Sequence, residues 1–203
     1  MNVHDEDEIK KEFQLERIIF FTDAVFAIII TIMVLELHVP TSGDLSALRP
    51  LLPVFVSYAL SFTILGIYWV NHHHLFQVVE QVNGRVLWAN LFLLFWLSLA
   101  PFLTGWMGEN NFAAWPVAMY GVVLCLAGFA YFILERELIA CNGEDSVLAQ
   151  AVGKERKGII SLIFYFIAIP LAFVSPWIAF GIYVMVAVMW FIPDRRIEKN
   201  VIQ

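Results

Sequence analysis

The sequence predicts an all-α integral membrane protein with about six transmembrane helices, and three observations lead there. Apolar stretches long enough to cross the ~30 Å hydrocarbon core of a bilayer recur along the chain, separated by patches of charge. Runs such as Ala24 to Leu35 and Leu91 to Leu103 are apolar on every face, which fits lipid-embedded helices and not the alternating strands of a barrel. The composition agrees, because 61% of the 203 residues are hydrophobic and only 15% are charged, a balance foreign to soluble domains.

The first span is placed at Arg17 to Val39, behind an acidic tail, residues 1–16, that carries Asp5, Glu6, Asp7, Glu8, Glu12 and Glu16. Such a start lacks the basic and apolar regions of a cleaved secretory signal and is expected to be solvated on the cytoplasmic side. The next spans are placed at Leu51 to Val78, Val86 to Met107 and Phe112 to Leu134, followed by a cytoplasmic loop over residues 135–157. The last two, Gly158 to Val174 and Pro176 to Ile192, are near the short limit and meet at a Ser175-Pro176 turn. Five spans with one re-entrant hairpin are therefore the alternative. Residues 1–203 read as a single membrane unit with too little remaining chain for a soluble module. The first span has no second copy, so the inverted repeat of many secondary transporters is not visible.

Eleven of the twelve lysines and arginines fall in the tails and the second and fourth connections, and only Arg49 lies in the first connection. Basic loops resist translocation, so both termini are expected in the cytoplasm, with the protein in the plasma or inner membrane. No basic stripe with interleaved aromatics marks a nucleic-acid surface. Cys125 sits in a span and Cys141 in a loop, without metal-ligand or disulfide spacing.

Ionisable residues inside spans are costly and mark pathways or buried networks. Asp23 lies about 9 Å deeper than Arg17 along the first helix. Asn71, His72, His73 and His74 lie near the cytoplasmic end of the second span, and Arg85, Trp88 and Asn90 open the third. Asp23, a histidine and Asn90 thus share a depth, with Arg17 at the cytoplasmic edge extending toward it, and there a carboxylate among imidazole and amide groups loses much of its desolvation cost. This is read as a clamp between three helices. A titratable proton relay is the competing reading, whereas consecutive histidines fan out by about 100° each and make a poor metal site. No nucleophile–base pair or His-Glu-x-x-His spacing supports an enzyme, and no cofactor is expected. On the helical wheel Ala24, Ile28, Thr31 and Leu35 form one stripe, with Asp23 about 140° from Ile28. That stripe is a candidate for a water-filled path, while the pattern by itself favours ordinary lipid-facing or core packing.

The segment from Arg17 through Phe21-Thr22-Asp23 to Leu37 resembles the first-helix signature of the transmembrane protein 175 potassium channel family, with Thr22 in place of its serine. Tyr68-Trp69-Val70-Asn71-His72-His73-His74 and the run from Asn90-Leu91 to Pro101-Phe102 are similar to the family's second and third helices. The resemblance covers about half the chain well; the later spans match in hydropathy alone. It implies a single-repeat homotetrameric channel in which the first helices line the pore. Ile28 and Leu35 would form aliphatic rings and Thr31 a hydroxyl ring, with permeating potassium near Ile28 and Thr31. The family's polar network would fall on Arg17, Thr22, Asp23, Asn90 and one of His72, His73 and His74. The runner-up is a proton-coupled transporter using Asp23 and the histidines.

The charge asymmetry makes a direct prediction about topology. Cysteine-accessibility labelling in intact cells should find the first and third connections external and both tails internal. An external amino terminus would contradict this orientation.

Overall fold

The computed structural model describes residues 3–152 and 157–191, with side chains described over 11–150 and 157–191. Helix α1 spans Val3–Leu35, and α2 covers Leu52–Phe76 after a 3-10 turn at Leu45–Leu51. Next come α3 (Gly84–Leu97), α4 (Ala100–Glu109), α5 (Ala114–Asn142), the short α6 (Val147–Val152), α7 (Lys157–Val174) and α8 (Pro176–Phe191). Among the described residues five segments are long and apolar enough to cross a membrane: Lys11–Leu35, Leu45–Phe76, Gly84–Glu109, Ala114–Asn142 and Lys157–Val174. A sixth, Pro176–Phe191, is apolar but shorter.

Three expectations change in detail. The acidic start, from Val3 onward, continues α1 as helix, although the side chains of Asp5, Glu6, Asp7 and Glu8 lie outside the described residues. The third span is two helices, broken at Ser98 and Leu99. Pro101 sits in the first turn of α4, where its missing N–H costs nothing, but it cannot continue the ladder from α3. The fourth span continues to Asn142, past its predicted end at Leu134, so much of the predicted 135–157 loop is helix. Lys154, Arg156, Arg195, Arg196 and Lys199, which weigh in the charge asymmetry, lie outside the described residues.

Helix α5 is the spine, packed along both α3 and α7, while α7 and α8 form a tight pair and α2 lies along α4. Small residues permit these close approaches: Ala127, Ala130, Ala168, Ala172 and Ala179 are fully buried where helices meet. At Gly121 a Cβ would collide with the Tyr183 hydroxyl, which donates a 3.0 Å hydrogen bond to the Val117 carbonyl. One apolar core joins α1, α2, α3 and the second half of α5, and another joins α2, α4, the first half of α5, α7 and α8.

Side chains fix the ends of these helices. Asn83 caps α3, its side chain accepting from the backbone N–H groups of Arg85 at 2.9 Å and Val86 at 3.1 Å. Gly143 ends α5 at φ 102, a backbone conformation suited to glycine. Just before it, Asn142 accepts from Glu80 N and Gln81 N at 3.0 and 3.1 Å and donates to the Gln81 carbonyl at 3.1 Å. The α2–α3 connection is thereby tied to the end of the spine.

The contact between α4 and α2 is the least forgiving. A Cβ at Gly108 would stand 2.6 Å from Ser57 Oγ and 2.7 Å from Val54 Cα, and the latter, being backbone, cannot swing aside. Gly108→Ala should lower stability by about 1–3 kcal/mol through overpacking, read as an earlier thermal unfolding transition of the detergent-purified protein. An unchanged transition would show that α4 and α2 are further apart.

Candidate functional site: the two faces of the first helix

One side of α1 is built for packing. Ile18, Thr22, Phe26, Ile29 and Met33 are buried, spaced by three or four residues as the turn of a helix requires. That side rests on α2, α3 and α4. Polar contacts hold it at two heights.

At the lower height Asn90 of α3 joins three helices. Its Nδ2 donates to Thr22 Oγ1 at 2.8 Å, and its Oδ1 lies 3.0 Å from His72 Nε2. An amide oxygen only accepts, so His72 Nε2 carries the proton of this bond. Thr22, His72 and Asn90 are all buried, and the His72 ring stacks on Phe76 at 4.3 Å between centroids. At the upper height the Thr104 hydroxyl lies 2.6 Å from both Ser61 Oγ and the Ala100 carbonyl, and 3.9 Å from Met33 Sδ. Ser61 in turn pairs with the Tyr120 hydroxyl at 2.9 Å, drawing α5 into the same cluster. Thr22 and Met33 are about 16 Å apart along the helix axis.

The predicted clamp residues therefore separate into groups. Thr22, His72 and Asn90 come together. Asp23 turns to a different partner, accepting from Trp69 Nε1 at 2.9 Å. His73 stacks on Trp69 and lies 3.0 Å from Gln77 Nε2, while His74 is 3.4 Å from Gln77 Oε1. Arg17 leans over its own helix, with its guanidinium 5.8 Å from the Phe13 ring. His72 thus turns inward to Asn90 while His73 and His74 both turn to Gln77, and the three do not converge on one site. Ser61, Thr104 and Tyr120 were missed by sequence reasoning; the signal available was a hydroxyl within each apolar span.

The other side of α1 is bare. Ile28 is 57% exposed and Leu35 76%, against 1% for Phe26, which points about 160° away from Ile28. Ala24 and Thr31 are exposed on the same stripe. The Thr31 hydroxyl donates to the Ala27 carbonyl at 2.7 Å, so its oxygen lone pairs are what it presents outward.

These features define a multi-pass helical membrane protein whose first helix is gripped on one face and open on the other. The chain belongs to the TMEM175 family of channels, and it is accordingly a membrane channel protein and not an enzyme. The family described as endosomal/lysosomal potassium channel TMEM175 matches residues 17–101. A protein named a potassium channel from Chryseobacterium sp. (strain P1-3) is 54% identical over 180 residues, covering 89% of this chain and 94% of that protein. The crystal structure of a lysosomal potassium-selective channel TMEM175 homolog from Chamaesiphon minutus is 27% identical, with a TM-score of 0.75 over 87% of this chain and 96% of that one. The endosomal/lysosomal proton channel TMEM175 of Danio rerio is 26% identical over 132 residues, which span 63% of this chain and 24% of that protein.

Asn90 carries two of the partnerships that hold α1, so its loss should be felt most. Asn90→Leu leaves buried groups on both Thr22 and His72 unsatisfied and should cost about 2–4 kcal/mol, whereas Asp23→Ala, at a half-buried carboxylate, should cost less. Thermal unfolding of the purified variants checks the order. An Asp23→Ala variant weaker than Asn90→Leu would move the pivot of the clamp to Asp23.

Proposed function

We propose that the chain forms a homotetrameric, potassium-permeable cation channel in which the bare stripe of α1 lines a central pore. The observation that carries this reading is the exposure of Ile28, Thr31 and Leu35 on an apolar helix that is locked against rotation from its other side. Family membership supports it, and so do the names of the bacterial relatives. Four copies of Ile28 and Leu35 make a constriction that conducts when wetted and closes when it dries. Thr31, with its proton committed to Ala27, offers oxygen to a partly dehydrated cation between the two rings. Selectivity from apolar rings is modest, since no row of carbonyls replaces the hydration shell. The bound species is the permeating potassium itself, with no further cofactor.

The same reading takes α7 and α8 as two crossings. Trp190 near the end of α8 donates to Ser161 near the start of α7 at 2.9 Å, while Trp177 at the other end of α8 contacts Phe112 in the turn before α5. Contacts at both ends of α8 support two crossings over a re-entrant hairpin. On this reading six crossings and the charge asymmetry favour cytoplasmic tails, in a protein of the cell membrane. Proton coupling through Asp23 and the histidines has less support, because Asp23 bonds Trp69 while His72 bonds Asn90 and no hydrogen bond links the two residues in the described structure.

Replacing Ile28 by Asn puts four amides where four apolar side chains stood and lowers the drying barrier. In planar bilayers under a potassium–sodium gradient, Ile28→Asn should raise conductance severalfold and move the reversal potential toward zero. Phe26→Leu, on the packed face, should lower thermal stability and leave the reversal potential in place. Unchanged currents in Ile28→Asn with altered selectivity in Phe26→Leu would assign the pore to the other face.

A further inference from the structure

A cavity of about 230 Å³ opens between α2 and α7, floored by α5 and bounded by α8. Its two ends differ in chemistry. Helix order puts Ile64, Leu162 and Tyr165 at one end, taken as the deep one, and Asn71, Arg136 and Trp190 at the other, where the exposure of Arg136 marks the mouth. Along α5 the lining runs from Gly128 to Ile139, about 16 Å of helix, which is roughly the hydrocarbon depth of one bilayer leaflet. The mouth lies where the amphipathic belt of a membrane protein is expected: Lys157 sits 5.8 Å over the Trp190 ring, and the Trp190 N–H points to Ser161. Arg136 is exposed, with its guanidinium carried over Phe132 at 5.0 Å.

We propose that this cavity binds one glycerophospholipid per protomer, drawn from the leaflet on the Arg136 side. An acyl chain fills the slot between Ile64 and Leu162, and the phosphodiester meets the guanidinium of Arg136, a planar fork of donors suited to phosphate oxygens. Glu135 also lines this end of the cavity. Its walls include α2 next to His72, so the occupant packs against a helix that also carries the clamp on α1.

Native mass spectrometry of the detergent-purified full chain tests this independently of any ion current, so its failure and that of the channel reading are distinguishable. With dioleoylphosphatidylglycerol as probe, the wild type should retain one tightly held lipid per protomer. Arg136→Gln should weaken that binding about tenfold, the loss expected for one charge-assisted hydrogen bond, and leave the weaker binding of dioleoylglycerol unchanged. Leu162→Trp, which fills the deep end, should reduce both. Should Leu162→Trp fail to fold, Arg136→Gln decides alone. Phosphatidylglycerol binding that is equal in wild type and Arg136→Gln would overturn the proposal. Displacement of the lipid by millimolar inorganic phosphate would make the mouth a simple anion site and overturn it as well.

Discussion

Inside a bilayer no water is at hand to satisfy a buried polar side chain, so such a group must find its partner on a neighbouring helix. Asn90 is where this constraint acts most strongly. Its amide uses both ends, donating to Thr22 and accepting from His72, and so ties α3 to α1 and α2 at one depth. Breaking either bond strands a donor or acceptor in hydrocarbon. The Thr104 cluster repeats the device nearer the other surface, with Met33 of α1 in contact. Gripped at both heights, α1 cannot roll, and the identity of its open face is settled by the identity of its held one.

The rest of the fold serves that arrangement. Helix α5 is long, lined with Ala and Gly, and packed closely by α3 and α7, and its last residue, Asn142, holds the connection between α2 and α3. The elements that carry His72 and Asn90 are therefore both referred to one rigid spine. The outward stripe of α1 has no such partner among the described residues. In the proposed homotetramer, further copies of the chain would cover this apolar surface beside the polar grip.

Much of this was legible in the sequence, for physical reasons that also set its limits. Hydropathy located the spans, because crossing lipid demands length and apolarity, yet it ended α5 at Leu134. The helix continues through the mixed segment to Asn142, with Leu138 buried on its inner side. Depth placed Asn90 level with the histidines and with Thr22 and Asp23, but depth says nothing of rotation. Neighbouring residues on a helix point about 100° apart, so Thr22 faces α3 while Asp23 faces Trp69, and His72 faces Asn90 while His73 and His74 face Gln77. The break in the third span had a visible signal in Pro101. The Ser61, Thr104 and Tyr120 cluster had only its hydroxyls, scattered over three spans whose register no single sequence supplies.

The central claim is that the open face of α1 meets water in the assembled protein while its held face does not. Substituted-cysteine modification tests it most directly, in reconstituted protein with Cys125 and Cys141 replaced by alanine. A membrane-impermeant, positively charged thiol reagent should block current through Ile28→Cys, Thr31→Cys and Leu35→Cys and leave Ile29→Cys unaffected. Block confined to Ile29→Cys, with Ile28→Cys conducting undisturbed, would contradict the account.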